Sequence, residues 1–399
     1  MTKCLILFSN FPRNSSDSSD WIADFVDKLS DQKIKLYVLA PHFAEASGQE
    51  VRKGVQIFRF KYFYPLKYQK LAYGAGIADN INRSILAKLQ IPLFIIAELF
   101  FSLKIIRKEK INIVNSHWLI PQGIVGAICK RLFNIKHVAS VHGSDINLIA
   151  KSKILRIVFK FIAQNTDRII ANSSFTKQKI LDINSELDAK TQVIPMGVDI
   201  NKLNDIQTKK SHMTINADYL VLTVGRLIAL KGVDYLIRAM NHVIARYPTA
   251  KLVICGDGSE KSSLMELVSD LNLTDHVVFT GHIPHDAVAQ CYHSADVFVL
   301  PSIRIDGFEE GLGVVLLEAM ACGIPVIGSN TGGISSIIDD GCNGFLVAEK
   351  SPKDLAEKII ILLSDENIQE KFKANGLETV RAKYSWDVII DQYVEAFLR

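Results

Sequence analysis

No pair of cysteines in the sequence has the spacing typical of a metal site, although the 399 residues include six cysteines. The ten histidines form no recognisable ligand pattern either, such as two histidines four residues apart. We therefore expect neither a zinc site nor a disulfide framework, and no metal ion. Most of the cysteines lie in apolar runs and are predicted to be buried free thiols of a reducing compartment. They are Cys4, Cys129, Cys255, Cys291, Cys322 and Cys342.

The sequence also lacks a long uninterrupted apolar segment. The apolar run within Met1–Asn10 is too short for a signal peptide. The stretch Ile91–Lys108 is predicted to be a helix, but Glu98 and Lys104 interrupt it, and it is too short to span a bilayer. We expect a cytoplasmic protein in which this helix faces lipid only at the membrane surface.

A strong net charge is absent as well. The formal net charge is +4, with 48% apolar and 22% charged residues, which excludes a disordered chain and indicates an ordinary globular protein. The length predicts two domains, each with its own core. The charge is uneven, because Val51–Lys110 contains twelve lysines and arginines against three acids. Such a patch favours a negatively charged partner.

Aromatic and basic side chains are interleaved along Lys61–Tyr73, within this basic segment. This pattern suits the interface of an anionic membrane, where rings lie at headgroup depth and cations contact phosphates. It also suits stacking on single-stranded nucleic acid, or a partly buried insertion whose lysines reach solvent. We favour an anionic membrane surface contacted through residues 51–110 and do not expect nucleic acid as a partner.

Short apolar runs alternate with helical patterns along the chain. A strand at Lys3–Phe8, a helix at Trp21–Leu29 and a strand at Ile34–Leu39 are typical of the opening of a doubly wound α/β domain. The pattern restarts with a strand at Tyr219–Val224, after the polar stretch Asn201–Asp218. The sequence therefore predicts two Rossmann-like, doubly wound domains.

The stretch around two glutamates carries the strongest functional signal. Gly313 to Cys322 is predicted to be a helix so apolar that no face is left for water, with Glu318 as its one charge. A carboxylate in such a helix needs a partner or a ligand. Glu310 precedes backbone amides at the helix start, where the dipole favours polar or anionic ligands. Eight residues of helix span about 12 Å, a distance at which the two carboxylates would bind two different parts of one extended ligand.

Structural explanations exist for both glutamates, namely an acid favoured by a helix N-terminus and a core carboxylate satisfied by a neighbour. Together, however, the two glutamates resemble the signature of retaining glycosyltransferases of the GT-B fold, the group 1 or family 4 enzymes. The run His117–Gly123 resembles one found in bacterial members. The resemblance implies two Rossmann-like domains facing a cleft, with the first glutamate and the following amides holding donor-sugar hydroxyls and the second holding the ribose. These roles fall on Glu310, Gly311, Leu312, Gly313 and Glu318.

A histidine and two cations stand where strands are predicted to end. His142, after the strand His137–Val141, is more often part of a capped turn when nothing else is known. Arg226 and Lys231 are, taken alone, two exposed cations. In the family that the chain resembles, the matching His reaches the donor sugar, and the matching Arg and Lys clamp the pyrophosphate. The resemblance thus implies four catalytic residues, His142, Glu310, Arg226 and Lys231.

A glycine-containing turn follows the predicted strand Lys251–Cys255. As a dinucleotide-binding fingerprint the turn fails, because the third glycine is missing. As a nucleotide-contacting turn of the family it fits. The resemblance implies donor binding by Gly225, Gly256, Asp257 and Gly258. Two positions depart from the family: the first loop, Asn10–Asn14, lacks the usual glycine pair, and Ser335 replaces the usual acid.

The predicted domains follow from these signals. Residues 1–199 form an acceptor domain, residues 200–218 a linker, and residues 219–383 a donor domain, and a helix at 384–399 crosses back to the first domain. The prediction is a retaining, metal-independent glycosyltransferase that uses a nucleotide diphosphate sugar as substrate and needs no cofactor. Its expected acceptor is a lipid-linked or polysaccharide glycan of the cell envelope, reached at the inner face of the plasma membrane. Alternatives are a sugar-nucleotide epimerase on the same fold, or a non-catalytic protein that binds membrane or nucleic acid.

Overall fold

The computed structural model describes residues 2–12, 21–43, 46–72, 77–205, 215, 217–283 and 285–399. The chain divides into two compact units, Met1–Pro195 with Ile389–Arg399, and Met196–Val388. Each unit has its own mainly parallel sheet. The prediction of two doubly wound α/β domains is confirmed.

The first unit contains an eight-stranded sheet in the order β3-β4-β2-β1-β5-β6-β7-β8, parallel except for the β3–β4 hairpin. Its strands are β1 Thr2–Leu7, β2 Ile34–Pro41, β3 Gln49–Arg52, β4 Val55–Phe60, β5 Ile113–His117, β6 Lys136–Val141, β7 Arg168–Ala171 and β8 Thr191–Val193. Its helices are α1 Trp21–Ser30, α2 Ile77–Arg83, α3 Ile85–Glu109, α4 Ile124–Phe133, α5 Ser144–Lys151, α6 Lys153–Gln164 and α7 Ser174–Ile183.

The second unit contains a six-stranded parallel sheet in the order β11-β10-β9-β12-β13-β14. Its strands are β9 Leu220–Val224, β10 Lys251–Cys255, β11 Val277–Gly281, β12 Val297–Leu300, β13 Val326–Ser329 and β14 Phe345–Val347. Its helices are α8 Ile200–Asp205, α9 Val233–Arg246, α10 Lys261–Asp270, α11 His285–Ser294, α12 Val314–Ala321, α13 Pro352–Ser364 and α14 Glu366–Thr379. The last helix, α15 Trp386–Leu398, begins in this unit, and its residues from Ile389 belong to the first.

Both faces of the second sheet are covered by a hydrophobic core. Leu222 and Phe298 belong to one buried cluster, whereas Val221 and Val297 belong to the other. Successive strand residues point to opposite faces, so the two clusters lie on opposite sides of the sheet. This explains why the strands read as continuous apolar runs rather than alternating ones.

The strand order of each sheet reverses at one point. The reversal lies between β1 and β5 in the first sheet and between β9 and β12 in the second. In open α/β sheets, ligands bind outside the carboxyl ends of the strands at such a point. Each unit therefore presents one preferred ligand edge.

The boundary between the units differs from the prediction at residue 199. Val198 and Leu203 are buried in a core cluster of the second unit, so the chain from Met196 belongs there. Helix α8 occupies the start of the predicted linker 200–218. Residues 206–214 and 216 of that linker lie outside the described residues.

Helix α3 is longer than predicted, and the prediction that it is too short to span a bilayer is wrong. It runs for 25 residues from its cap, Ser84, whose side chain accepts a hydrogen bond from the amide of Ala87. By length and composition alone it is able to cross a membrane, but 33% of its most apolar window is buried in the protein. Glu98 does not interrupt the outer face, because it is buried and accepts a hydrogen bond from Nε2 of Gln122 at 3.3 Å.

Helix α12 also differs from its prediction. It begins at Val314, and Val314, Val315 and Glu318 are only partly buried. The expectation that no face is left for water is therefore wrong, and Glu318 lies on the partly open face. Glu310 precedes the helix, so the helical spacing of about 12 Å does not describe the two carboxylates.

All six cysteines are described by the structure and are free thiols. Four are buried, while Cys322 and Cys342 are partly exposed. Burial raises the pKa of the Cys322 thiol to about 12, which keeps it protonated at neutral pH. The prediction of free thiols is confirmed.

Candidate functional site

The ligand edge of the second unit is formed by the loops that follow β9 and β12. The loop after β9 contains Arg226 and ends in a short helical turn, Ala229–Lys231. The amide of Ile303, beyond β12, donates to the carbonyl of Leu230 at 2.8 Å. Lys231 is therefore fixed beside the end of β12.

Lys231 and Glu310 form an ion pair at this edge. Nζ of Lys231 lies 2.5 Å from Oε2 of Glu310, and each side chain is 16% exposed. The Ser302 hydroxyl donates to the same oxygen at 3.2 Å. Oε1 of Glu310 accepts no hydrogen bond from a described residue. One oxygen of the carboxylate is thus anchored, and the other is open to a ligand hydroxyl.

The environment of Glu310 keeps its carboxyl ionised. Burial alone would raise its pKa, but the Lys231 ammonium, the Ser302 hydroxyl and the Arg226 charge hold the pKa below its ordinary value. Arg226 is itself exposed. The site therefore contains one anchored carboxylate and two cations, of which Lys231 is partly buried and paired.

Glu309, which was not predicted as a site residue, holds a neighbouring turn in place. Its Oε2 accepts hydrogen bonds from the Thr331 hydroxyl at 3.2 Å and the Gly332 amide at 3.1 Å. A Cβ on Gly332 would lie 2.3 Å from the carbonyl oxygen of Glu310, so only glycine allows this approach. The turn after β13 thus packs directly on the loop that carries Glu310. Ser335, where the family usually has an acid, is exposed beyond this turn.

Gly311 and Gly313, the two glycines predicted to bind the donor beside Glu310, lie at the start of α12. Gly313 is the N-cap of α12 with φ +92°, a conformation that favours glycine. The amide of Gly333 donates to the carbonyl of Glu310 at 2.8 Å, which ties the same turn to this loop. Gly311 and Leu312 lie between these two fixed points, and Leu312 is buried.

Glu318 lies on α12, and its carboxylate accepts a hydrogen bond from a neighbouring tyrosine. The Tyr292 hydroxyl donates to its Oε2 at 2.8 Å, and Tyr292 is fully buried. Burial and the Glu318 charge raise the pKa of Tyr292 well above its ordinary value, so the hydroxyl remains a donor. The arrangement fixes the carboxylate but leaves it partly exposed to a ligand.

The turn after β10 packs against the turn after β9. A Cβ on Gly256 would lie 1.8 Å from the carbonyl oxygen of Gly225, so close backbone packing alone requires this glycine. Oδ1 of Asp257 accepts from the Gly258 amide at 2.8 Å, and Oδ2 lies 3.0 Å from Nζ of Lys261. Packing explains the shape of the turn, and its predicted contact with the donor stays a prediction.

His142 lies at the ligand edge of the first unit and is paired with His117. Nε2 of His142 is 3.0 Å from Nδ1 of His117, and the two rings stack with centroids 5.2 Å apart. Burial lowers the pKa of His142 to about 3 and holds that of His117 well below its ordinary value. Both rings are therefore neutral, and the N–H of one ring donates a hydrogen bond to the bare nitrogen of the other. The glycine-free first loop is described only as far as residue 12.

The structure brings Glu310 close to Lys231, 79 positions earlier in the sequence, and within the electrostatic influence of Arg226. It places Glu318 on the following helix, Gly225 beside Gly256, and His142 in the other unit. Sequence reasoning missed four supporting residues, although one of them, Ser302, lies two residues after the end of β12. The four are Ser302, Glu309, Tyr292 and His117. Among the described residues, no three His, Cys, Asp or Glu side chains are grouped to hold a metal ion.

Two family models match the sequence, and together they span both units. Residues 205–379 match the family described as glycosyl transferases group 1. Residues 20–202 match the family described as Glycosyltransferase Family 4.

Similar proteins cover much of the chain. An uncharacterized glycosyltransferase of Methanocaldococcus jannaschii is 34% identical over 71% of this chain and 74% of its own length. A GDP-mannose-dependent alpha-(1-6)-phosphatidylinositol monomannoside mannosyltransferase of Mycobacterium tuberculosis is 31% identical over 66% of this chain and 69% of its own.

Solved structures share the fold over almost the whole chain. Sucrose-phosphate synthase from Thermosynechococcus elongatus aligns with 100% of this chain and 98% of its own, with a TM-score of 0.79 and 22% identity. Anabaena HepE in complex with UDP and glucose aligns with 99% of each chain, with a TM-score of 0.74 and 19% identity.

Proposed function

The chain belongs to the group 1 glycosyltransferases and has their GT-B fold, and we propose that it moves a sugar from a nucleotide diphosphate sugar to an acceptor hydroxyl with retention of configuration. The nucleotide sugar is supported by the GDP-mannose dependence of the mycobacterial relative and by UDP and glucose in the HepE complex. The observation that carries the proposal is the anchored Glu310 carboxylate, paired with Lys231 where the strand order of the second sheet reverses.

The electrostatics of this edge suit departure of a nucleotide diphosphate. Negative charge grows on the pyrophosphate as the bond to the sugar breaks, and we assign its stabilisation to Arg226 and Lys231, the two cations whose charges act at this edge. The sugar becomes positively charged in the same step. The open oxygen of Glu310 is placed to hold a sugar hydroxyl near that charge.

The proposed step needs no protein nucleophile and assigns no role to a metal ion. The acceptor hydroxyl attacks from the face that the leaving phosphate occupies, and its proton passes to a phosphate oxygen. The new bond therefore has the configuration of the old one. His142, whose pKa burial lowers to about 3, is neutral, so it is able to offer a sugar a hydrogen bond but no charge.

Helix α3 supports the proposed docking of this enzyme on the cytoplasmic face of a membrane that presents a lipid-linked glycan acceptor. Its exposed apolar residues recur at helical spacing on one face, and basic residues flank them. The apolar residues are Ile85, Leu89, Leu93, Ile96 and Phe100. The exposed basic residues are Lys88, Lys104, Arg107 and Lys108. In the segment Lys61–Tyr73, Tyr64 is 83% exposed whereas Tyr62 is buried, so only part of that segment is open to a surface.

The donor class is testable by thermal shift with a panel of nucleotide diphosphates and their sugars. One nucleotide is expected to raise the Tm of the wild type, because a ligand that binds only the folded state stabilises it. The increase in Tm caused by the nucleotide should be much smaller in Glu318→Ala. It should be only moderately smaller in Tyr292→Phe, which removes only the hydroxyl that positions Glu318. Glu357→Ala, an exposed change on α13, serves as the control. An unchanged rise in Glu318→Ala would refute the ribose role, and sugar conversion without acceptor would favour an epimerase.

Docking through α3 is testable by flotation with vesicles. The wild type should float with phosphatidylglycerol vesicles but not with phosphatidylcholine alone, and added salt should weaken binding. Ile96→Glu with Phe100→Glu should abolish flotation, since both side chains are 63% exposed and folding does not need them. Met265→Glu, 51% exposed in the second unit, is the matched control. Flotation of the α3 variant equal to the wild type would exclude this face as the docking surface.

A further inference from the structure

Two of the three tryptophans in the chain lie side by side at the ligand edge of the first unit. Trp21 begins α1, and Trp118 directly follows β5. Their rings lie 5.1 and 4.9 Å from the His142 ring, and 6.3 Å from each other. All three side chains are only partly buried. Large aromatic rings left partly open at a ligand edge favour a ligand that covers them.

The position of Trp118 is fixed by the backbone around it. Its φ of +72° lies in a region that side-chain-bearing residues rarely adopt. The Trp118 amide donates to the carbonyl of Ser140 at 2.8 Å, and the Trp118 carbonyl accepts from the amide of Gly123 at 3.1 Å. The next amide, that of Leu119, donates to the buried Asp145 at 2.8 Å. The backbone that carries the indole is therefore fixed on both sides of its Cα.

The charge around these rings decides which kind of ligand fits. His142 and His117 are neutral because burial lowers the pKa of both. Among the described residues, no lysine or arginine stacks on Trp21, Trp118 or His142. A neutral pyranose ring has an apolar C–H face for an indole and hydroxyls for the indole N–H and the imidazole.

We infer that Trp21 and Trp118, beside His142, form the acceptor subsite and bind a neutral pyranose ring stacked on an indole. The inference rests on the proposed transfer function and names the acceptor class as a sugar rather than an acid or a polyol phosphate. Trp118 determines acceptor specificity in this arrangement. Trp21 supplies the second indole of this subsite.

Tryptophan fluorescence tests the subsite without turnover. Trp386, the third tryptophan, is buried in the second unit, so Trp386→Phe leaves Trp21 and Trp118 as the only indole reporters. Titration with methyl glucoside, methyl mannoside and methyl N-acetylglucosaminide should give a saturable spectral change for at least one of them. L-malate and myo-inositol phosphate should give none. A saturable change with either acid but no pyranoside, or no change with any pyranoside, would overturn the inference.

Kinetics with the pyranoside that binds supply a second measurement. Trp118→Ala should raise the acceptor KM about tenfold or more and leave the donor KM within about twofold, because stacking is lost on the acceptor side alone. Trp118→Phe should restore most of the affinity. Ile157→Ala, which removes part of a 70% exposed side chain on α6 of the first unit, should change neither KM. An equal rise in both KM values, or none, would contradict the assignment. The thermal shift with nucleotide reports separately on donor binding, so failure of this subsite is distinguishable from failure of the proposed function.

Discussion

In a Glu310→Gln variant, we expect kcat for sugar transfer to fall by about 10²–10³-fold while the fold is retained. Glutamine matches the shape of glutamate, so packing around the loop should change little. The variant loses the negative charge that the site holds near the reacting sugar. It also leaves Lys231 without its 2.5 Å partner. Steady-state kinetics at saturating donor, together with the thermal melting temperature, measure both effects.

The control for this variant is Glu357→Gln, which makes the same chemical change at an exposed position of the same unit. It should leave kcat unchanged. The thermal shift caused by the nucleotide diphosphate alone should survive in Glu310→Gln, because Glu310 is assigned to the sugar and not to the nucleotide. Transfer at the wild-type rate would remove Glu310 from the catalytic assignment.

The order of strands and helices could be read from the sequence because each strand is a short apolar run bounded by polar turns. Strand β10 begins and ends where the pattern places it. Strands β3, β8 and β14 were missed, since they have three or four residues and all three lie at sheet edges. Such short strands carry little periodicity, and only pairing with a neighbour defines them.

The sequence predicts which catalytic residues lie at a ligand edge, but it does not predict which of them contact each other. Arg226 and Lys231 follow a strand, and Glu310 precedes a helix, so local sequence places each at a ligand edge. The ion pair joins residues 79 positions apart, and it exists because β9 and β12 are neighbours in the sheet. The pairing of His117 with His142 depends in the same way on the neighbours β5 and β6. No local pattern carries that information.

The predictions for α3 and α12 were wrong in different respects. The predicted α3 helix began only at Ile91. The structure caps the helix at Ser84 and includes Pro92 within it. For α12, composition indicated burial on all sides, yet Val314, Val315 and Glu318 face partly outward. Tertiary placement at a ligand edge overrides what composition alone suggests.

A Lys231→Met variant should lose about 10²–10³-fold in kcat, because one of the two cations assigned to the leaving pyrophosphate is removed. Methionine keeps most of the apolar stem of lysine, so packing is largely preserved. Lys353→Met, at an exposed position of α13, is the matched control. Wild-type kcat in Lys231→Met would show that Arg226 suffices and that the Lys231 assignment is wrong.

The same variant should change the pH dependence in a defined direction. In the wild type, the lowered pKa of Glu310 contributes stability that is present above the unfolded carboxyl pKa and is lost as pH falls through the folded pKa. Without Lys231, burial has the larger influence and should raise that pKa, so the carboxyl becomes protonated at higher pH. The acid limb of the kcat profile should then shift to higher pH.

Denaturant unfolding between about pH 4 and pH 8 measures the stability side of this coupling. The gap in unfolding free energy between wild type and Lys231→Met should be widest near neutral pH and should narrow toward acid. In the Glu310→Gln background, the same Lys231 change should give a gap with no such pH dependence, because the titrating group is absent. If the difference in unfolding free energy keeps its pH dependence in that background, another carboxyl is coupled to Lys231. The assigned coupling between Lys231 and Glu310 would then be wrong.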